Sequence, residues 1–225
     1  MRTFAIGDIH GCLGALQTLL GEIAPRPTDV VVMLGDYVDR GPDSAGVLRR
    51  LQALQKHCHL VAIKGNHEEL MLNARTIPEQ YKVWLHNGGM HTLLSYGGKG
   101  TTLADVPTED WDFLERECRD YYETPTHLFV HANADPELPL DKQSKHMLRW
   151  RRFHDARAHR SGKVLVCGHS PHLFPESLGY AICLDTCAYR KDGWLTCLEV
   201  KSGKLVQANQ KGEVKAGNIG DYFYG

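Results

Sequence analysis

Gly35-Asp36-Tyr37-Val38-Asp39-Arg40-Gly41 is the densest chemistry in the chain. Its two carboxylates suit hard cations, and the planar fork of donors on Arg40 matches phosphate oxygens. Ligand-type residues recur at four other places: in Gly7-Asp8-Ile9-His10-Gly11, in Gly65-Asn66-His67-Glu68, at His131 after Phe129-Val130, and in Gly168-His169-Ser170. Asp8, His10, Asp36, Asn66, His131 and His169 offer mixed oxygen and nitrogen donors, which suits two divalent first-row metals. Two ions sharing these ligands call for one common carboxylate. Asp36 leads the central loop and is the expected bridge, with Asp8 and His10 completing one ion and Asn66, His131 and His169 the other.

Such a pair, ~3.5–4 Å apart, clamps a phosphoryl group and lowers the pKa of a bound water. A metal-bridging hydroxide then attacks phosphorus in line. His67 follows a ligand and is not needed as one. Its expected job is general acid to the leaving oxygen, worth ~10²–10⁴ in rate. Asp39 is expected to orient that imidazole and raise its pKa. Arg40 is expected to grip the phosphate oxygens.

The elements that must position these residues follow from the apolar pattern. Thr3 to Ile6, Asp29 to Leu34 and His59 to Ile63 read as buried strands, each leading into one of the first three loops. Leu13, Leu16, Leu19, Leu20 and Ile23 recur at helical spacing, as do Val47, Leu48, Leu51 and Leu54. Strand, polar loop and helix thus repeat three times, which predicts an α/β sandwich with its loops at one sheet edge. His127 to Val130, Lys163 to Cys167, Ala181 to Leu184 and Trp194 to Val200 are later strands. Between them, residues from about 77 to 125 read as a helical cap near the site, with Trp111, Phe113, Tyr121 and Tyr122 in its core. From residue 211 to residue 225 the polar, glycine-rich chain reads as a loose tail.

The 225 residues suit a single domain, numbered 1–225, with that cap inserted in it. The net charge of −1 gives no bulk attraction to nucleic acid or to a membrane surface, so any anion site must be local. No apolar run reaches the length of a membrane span. Met1-Arg2 leads into a strand and does not read as a signal peptide. Seven cysteines with no Cys-x-x-Cys pair do not make a disulfide framework, and most lie in apolar segments, so the chain reads as a reduced, cytoplasmic protein.

The three loops Gly7–Gly11, Gly35–Gly41 and Gly65–Glu68 resemble the signature blocks of the phosphoprotein phosphatase family, within the calcineurin-like metallophosphoesterases. Val130-His131-Ala132 and Gly168-His169-Ser170 resemble its two later histidine blocks, so the likeness spans residue 3 to about residue 200. In detail the chain is similar to small bacterial and phage serine/threonine phosphatases. The resemblance implies a β-sandwich flanked by helices with a small helical cap insertion. It implies manganese as the usual metal, with iron, zinc, cobalt or nickel as alternatives. Leu148-Arg149-Trp150-Arg151-Arg152 resembles the block that supplies a second phosphate-binding arginine. Spacing from Trp150 puts that role on Arg152, with Arg149 and Arg151 as rivals. Cys187 stands where relatives tend to have glycine after Asp-Thr.

The expected activity is hydrolysis of phosphoserine and phosphothreonine in a protein or peptide, with phosphotyrosine as a further substrate. The alternative is a symmetrical dinucleoside tetraphosphate or small-nucleotide hydrolase. Such enzymes share the metal residues but usually carry another residue at the place of Asp39, so Asp39 favours monoester work. A catalytically dead metal-binding adaptor fits poorly with a ligand set accompanied by His67, Asp39 and Arg40.

Overall fold

A computed structural model describes residues 1–223. Strand β1 (Thr3–Ile6) pairs in parallel with β2 (Val30–Met33), which pairs in parallel with β3 (His59–Ala62). On its other side β1 pairs antiparallel with a late strand, Leu195–Glu199, which is followed in the sheet by Lys204–Ala208 and Val214–Asn218. The second sheet begins with β4 (Tyr121–Glu123) and β5 (His127–Val130). It continues through β6 (Val164–Cys167) and β8 (Ala181–Cys183) to the two-residue edge strand β7 (Glu176–Ser177). The three late strands of the first sheet are β9, β10 and β11.

Successive side chains of a strand point to opposite faces, and here both faces are buried. Ala5, Val32, Val61, Phe129, Val166, Ile182 and Leu198 form the layer between the sheets. Phe4, Ile6, Val31 and Met33 face outward onto helix α1 (Leu13–Ile23) and helix α2 (Ser44–Gln55). On the other outer face, Leu128, Val130, Leu165 and Cys167 pack on Leu148 and Phe153.

Register brings the loops together. Ile6 is opposite Met33 and Met33 opposite Ala62, so the loops after β1, β2 and β3 leave at one level. In the second sheet Phe129 is opposite Val166, which sets His131 and His169 at the matching ends of parallel neighbours.

Helix α3 (Asn66–Thr76) starts within the third loop, and the Glu68 carboxylate accepts the Gly65 N–H, as one half of a capping box. Helices α4 (Pro78–Trp84), α5 (Met90–Gly97) and α6 (Thr108–Asp112) follow. The helical reading of residues 77–125 stops short of its end. Tyr121 and Tyr122 lie in β4, where Tyr122 packs beside Phe129 at the sheet edge and not in a cap core. The expected loose tail also differs. Val214–Asn218 pair along all of β10, and Ile219–Tyr222 form a short 3-10 turn; residues 224 and 225 of that tail lie outside the described ones. An edge strand needs few apolar side chains, because its backbone bonds and not burial hold it, so its composition resembles that of a loop.

Candidate metal centre and phosphate site

Five expected site residues adopt a left-handed backbone: His10, Asp36, Asp39, Arg40 and His169 have φ of 46°, 52°, 72°, 68° and 62°. Among the described residues only Ala24 and Cys187 join them outside glycine. Each such residue costs of order 1–3 kcal/mol and persists only where its surroundings impose it. Here they do. The Ile9 and His10 N–H groups donate to the Asp36 carbonyl at 3.0 and 2.7 Å, locking the first loop to the second. The Glu68 carboxylate accepts from the N–H groups of Asp36, Tyr37, Val38 and Gly65 at 2.8, 2.7, 3.3 and 2.8 Å. Gly65 and Gly168 let the backbone run against carboxylates, because a Cβ at either would strike Asp36 or Asp8 respectively.

The imidazoles disclose where lone pairs point. His131 Nδ1 lies 2.8 Å from the Leu34 carbonyl, His169 Nε2 3.0 Å from the Trp150 carbonyl, and His10 Nδ1 3.0 Å from the Val38 carbonyl. A carbonyl only accepts, so each of these nitrogens carries the proton. The other nitrogen of a neutral ring is then a bare acceptor. Burial, reinforced by the neighbouring His131 and the Arg152 guanidinium and opposed by Asp36, pushes His169 down to about 3. Burial and His67 likewise lower His10. Those of His131 and His169 converge on other acceptors, whereas His10 Nε2 also accepts from Arg40 Nη1 at 2.8 Å. His131 Nε2 and His169 Nδ1 both lie 2.9 Å from Asn66 Oδ1, and His131 Nε2 lies 3.4 Å from Asp36 Oδ1. His10 Nε2 is 3.5 Å from Asp36 Oδ2. Acceptors facing acceptors in a buried site suit cations, and the nitrogen-oxygen mixture suits divalent transition metals.

Two triads of potential ligand atoms result, His10–Asp36–His67 and Asp36–His131–His169, and Asp36 belongs to both. Asp8 is in neither. It is buried, accepts the His169 N–H at 3.1 Å, and is pushed up by burial and by the neighbouring Asp185 and Asp36 carboxylates. His67 lies within ligand range, with Nε2 at 3.9 Å from Asp36 Oδ2, although the sequence expectation gave it no metal.

The other nitrogen of His67 differs from those of the remaining histidines, because it meets a carboxylate: Nδ1 lies 2.7 Å from Asp39 Oδ2. Burial disfavours the imidazolium, but Asp36 and the Asp39 hydrogen bond outweigh it, and the pKa of His67 is raised. Asp39 is itself buried, which raises its pKa against the opposing bonds from His67, Thr92 and Trp84. Trp84 Nε1 donates to both of its oxygens, at 2.9 and 3.1 Å, and Thr92 Oγ1 donates to Oδ1 at 2.7 Å. Trp84 ends α4 and Thr92 lies in α5, so these helices grip the Gly35–Gly41 loop directly. Sequence reasoning named neither residue in the site.

Arg40 Nη1 lies 2.8 Å from His10 Nε2, and its guanidinium stacks over the Tyr189 ring at 4.9 Å. Tyr189 was also missed; an aromatic residue just after Asp185-Thr186 is the only signal. The three rival arginines separate. Arg149 is buried and bound to Glu69 at 2.8 Å and to Asp120. Arg151 pairs with Asp155 at 2.8 Å. Among the described residues no carboxylate pairs with Arg152, whose charge acts on His169. Cys187, with φ of 59°, keeps the left-handed turn where glycine was expected.

Residues 1–194 match the calcineurin-like phosphoesterase family. The chain belongs to that family of metallophosphoesterase hydrolases. It is 34% identical over 158 residues to serine/threonine-protein phosphatase 1 of Salmonella typhimurium, covering 67% of this chain and 68% of that one. It is 33% identical over 152 residues to a symmetrical bis(5'-nucleosyl)-tetraphosphatase of Pseudomonas fluorescens, covering 64% of this chain and 47% of that one. It thus spans about half the length of that second relative. The crystal structure of a cold-active protein-tyrosine phosphatase from a psychrophilic Shewanella superimposes with a TM-score of 0.63 at 19% identity, over 96% of this chain and 80% of that one. That likeness concerns the fold: two mixed sheets flanked by helices. No helix among the described residues is long and apolar enough to cross a membrane.

Proposed function

We propose that this protein is a dinuclear metal-dependent phosphomonoesterase acting on phosphoserine and phosphothreonine in proteins, with phosphotyrosine as a further substrate. The observation that carries this reading is the His67–Asp39 pair at 2.7 Å, held from above by Trp84 and Thr92. A serine or threonine alkoxide is a poor leaving group and needs a proton, so a buried acid beside the cluster serves this substrate class.

Asp36 would bridge two ions, His10 and Asp8 would serve one, and Asn66, His131 and His169 the other. When bound, such ions supply Lewis acidity, an activated water and a clamp on the phosphoryl oxygens; manganese is the metal we propose. Arg40, beside His10, and Arg152, whose charge acts on His169, would orient the phosphoryl group by its outer oxygens. His67 Nε2, with its ring aligned by Asp39, would hold the proton for the departing oxygen. All seven cysteines are free and buried, which supports a cytoplasmic setting.

A second reading rests on the match to the Pseudomonas tetraphosphatase: hydrolysis of symmetrical dinucleoside tetraphosphates. A turnover panel with the manganese-loaded protein separates the two. Higher kcat/KM on phosphopeptides than on diadenosine tetraphosphate is expected. The reverse order by a wide margin would transfer the assignment to the second reading.

A further inference from the structure

Next to the metal cluster runs an open groove of about 460 Å³, lined by Arg40, His86, Asn87, Gly88, His91 and Tyr189. One wall is the turn joining α4 to α5; the other is the turn that carries Tyr189. Arg40 closes the inner end and belongs to both places, since its guanidinium reaches His10 on one side and the Tyr189 ring on the other. Gly88 makes that closure possible. At φ of 115° its carbonyl accepts the Arg40 N–H at 3.4 Å, and a Cβ there would lie 2.8 Å from the Arg40 nitrogen.

The lining carries one fixed cation, the Arg40 guanidinium, with two exposed imidazoles and an amide, and no acid. Arg190 adds a second guanidinium 5.9 Å from the Tyr189 ring. The chain as a whole carries a net charge of −1, so this bias is local and not a consequence of composition.

We propose that this groove binds an acidic side chain flanking the phosphorylated residue of a peptide substrate. The inference rests on the protein phosphatase reading above and narrows it to acidic phosphopeptides. In an extended peptide, side chains two positions apart share a face and stand roughly 7 Å from each other. With the phosphate at the metals, the second residue along passes Arg40 and enters the groove. A carboxylate there meets Arg40 and the two histidines. A lysine there meets Arg40, with no acid among the lining residues to pair with.

The test uses the manganese-loaded full chain and three phosphoserine peptides that differ only at the second position on either side, as Glu, Ala or Lys. The readout is the ratio of kcat/KM between Glu and Lys peptides within each protein. About tenfold in favour of Glu is expected for the natural chain, the sum of one gained and one repelled solvent-screened contact. The ratio should shrink at higher salt. In the double variant His86→Glu with His91→Glu it should invert. These side chains are exposed, and His86→Ala with His91→Ala, which adds no charge, should bring the ratio to an intermediate value. Equal rates on Glu and Lys peptides, or a tenfold ratio that survives the double glutamate variant, would overturn the groove and leave the phosphatase reading standing. No turnover of any peptide beside good turnover of diadenosine tetraphosphate would overturn both.

Discussion

Glu68 holds Asp36 by the backbone: the Asp36 N–H donates to the Glu68 carboxylate at 2.8 Å, while the Asp36 side chain accepts the His67 N–H at 3.0 Å. Glu68 therefore imposes the left-handed turn that aims Asp36 into both ligand triads. Removing the carboxylate leaves four buried N–H groups without an acceptor, each worth about 1–3 kcal/mol when orphaned. Glu68→Ala is therefore expected to lose at least about 4 kcal/mol of stability by denaturant unfolding and to weaken manganese binding measured by calorimetry. Glu68→Gln, which keeps one acceptor oxygen, should lose less of both. Full manganese affinity in a folded Glu68→Ala protein would show that the turn needs no clamp.

Arg149 and Arg152 should part company in assay. Arg149 is enclosed by Glu69 and Asp120, and Trp150 Nε1 donates to the same Glu69 at 2.7 Å, so it ties α3 to the helix Lys145–Trp150. Arg149→Met should lower the melting temperature, at a cost of about 2–4 kcal/mol, because it leaves a partly buried carboxylate unpaired. Arg152→Ala should leave the melting temperature within about 1 °C, as exposed substitutions do, and lower kcat/KM on nitrophenyl phosphate by roughly 10²-fold through lost phosphate binding. An Arg149→Met protein that keeps its melting temperature and loses kcat/KM would return Arg149 to the list of substrate ligands.

Much of this arrangement was legible in the chain. Asp8, Asp36, Asn66, His131 and His169 each follow a run of buried strand, and parallel pairing in register must carry such residues to one edge. What could not be read was contact across distance. Trp84 and Thr92 reach Asp39 from 45 and 53 residues away, and nothing in their local sequence marks a polar task. The positive φ angles at His10 and Asp36 are invisible as well, because glycine, the usual sign of such a turn, stands beside them and not at them. Lys215 and Gly217 hid β11 by their composition, and two adjacent tyrosines looked like helix core until β5 offered them a partner.

Acid sensitivity should be traceable to Asp29. Its buried carboxylate accepts from Arg2 Nε at 3.0 Å, Arg2 Nη2 at 2.6 Å, and the N–H groups of Arg2 and Arg26 at 2.8 and 2.9 Å. These bonds, led by that of the Arg2 side chain, hold its pKa well below the ordinary 3.8 against the opposing effect of burial. A depressed folded pKa adds stability that is complete above the unfolded value and lost as pH falls through the folded one. Because Arg2 is about one-third exposed, solvent screening limits the gain to about 1–2 kcal/mol. Asp29→Asn should therefore melt lower than the natural chain at pH near 7, and the gap should narrow steadily below about pH 4. A gap independent of pH would mean that the charge of Asp29 contributes nothing.

The proposed proton donor can be told from the proposed metal ligands by the leaving group. His67 meets a carboxylate at Nδ1, whereas His10, His131 and His169 each meet a backbone carbonyl. If its task is to protonate the leaving oxygen, His67→Asn should keep both manganese ions and lose roughly 10²–10⁴ in kcat. Nitrophenolate leaves with little help and a serine alkoxide does not, so the loss should be larger on phosphoserine peptide than on nitrophenyl phosphate. Asp39→Asn should give a weaker form of the same pattern, since it orients the ring and favours its charged form. Asp36→Asn should behave otherwise, with manganese affinity reduced and both substrates slowed together, because both triads share that carboxylate. The measurements are manganese stoichiometry by calorimetry and kcat on the two substrates. An emptied metal site in His67→Asn, or an equal slowing of both substrates, would make His67 a ligand and leave the reaction without its acid.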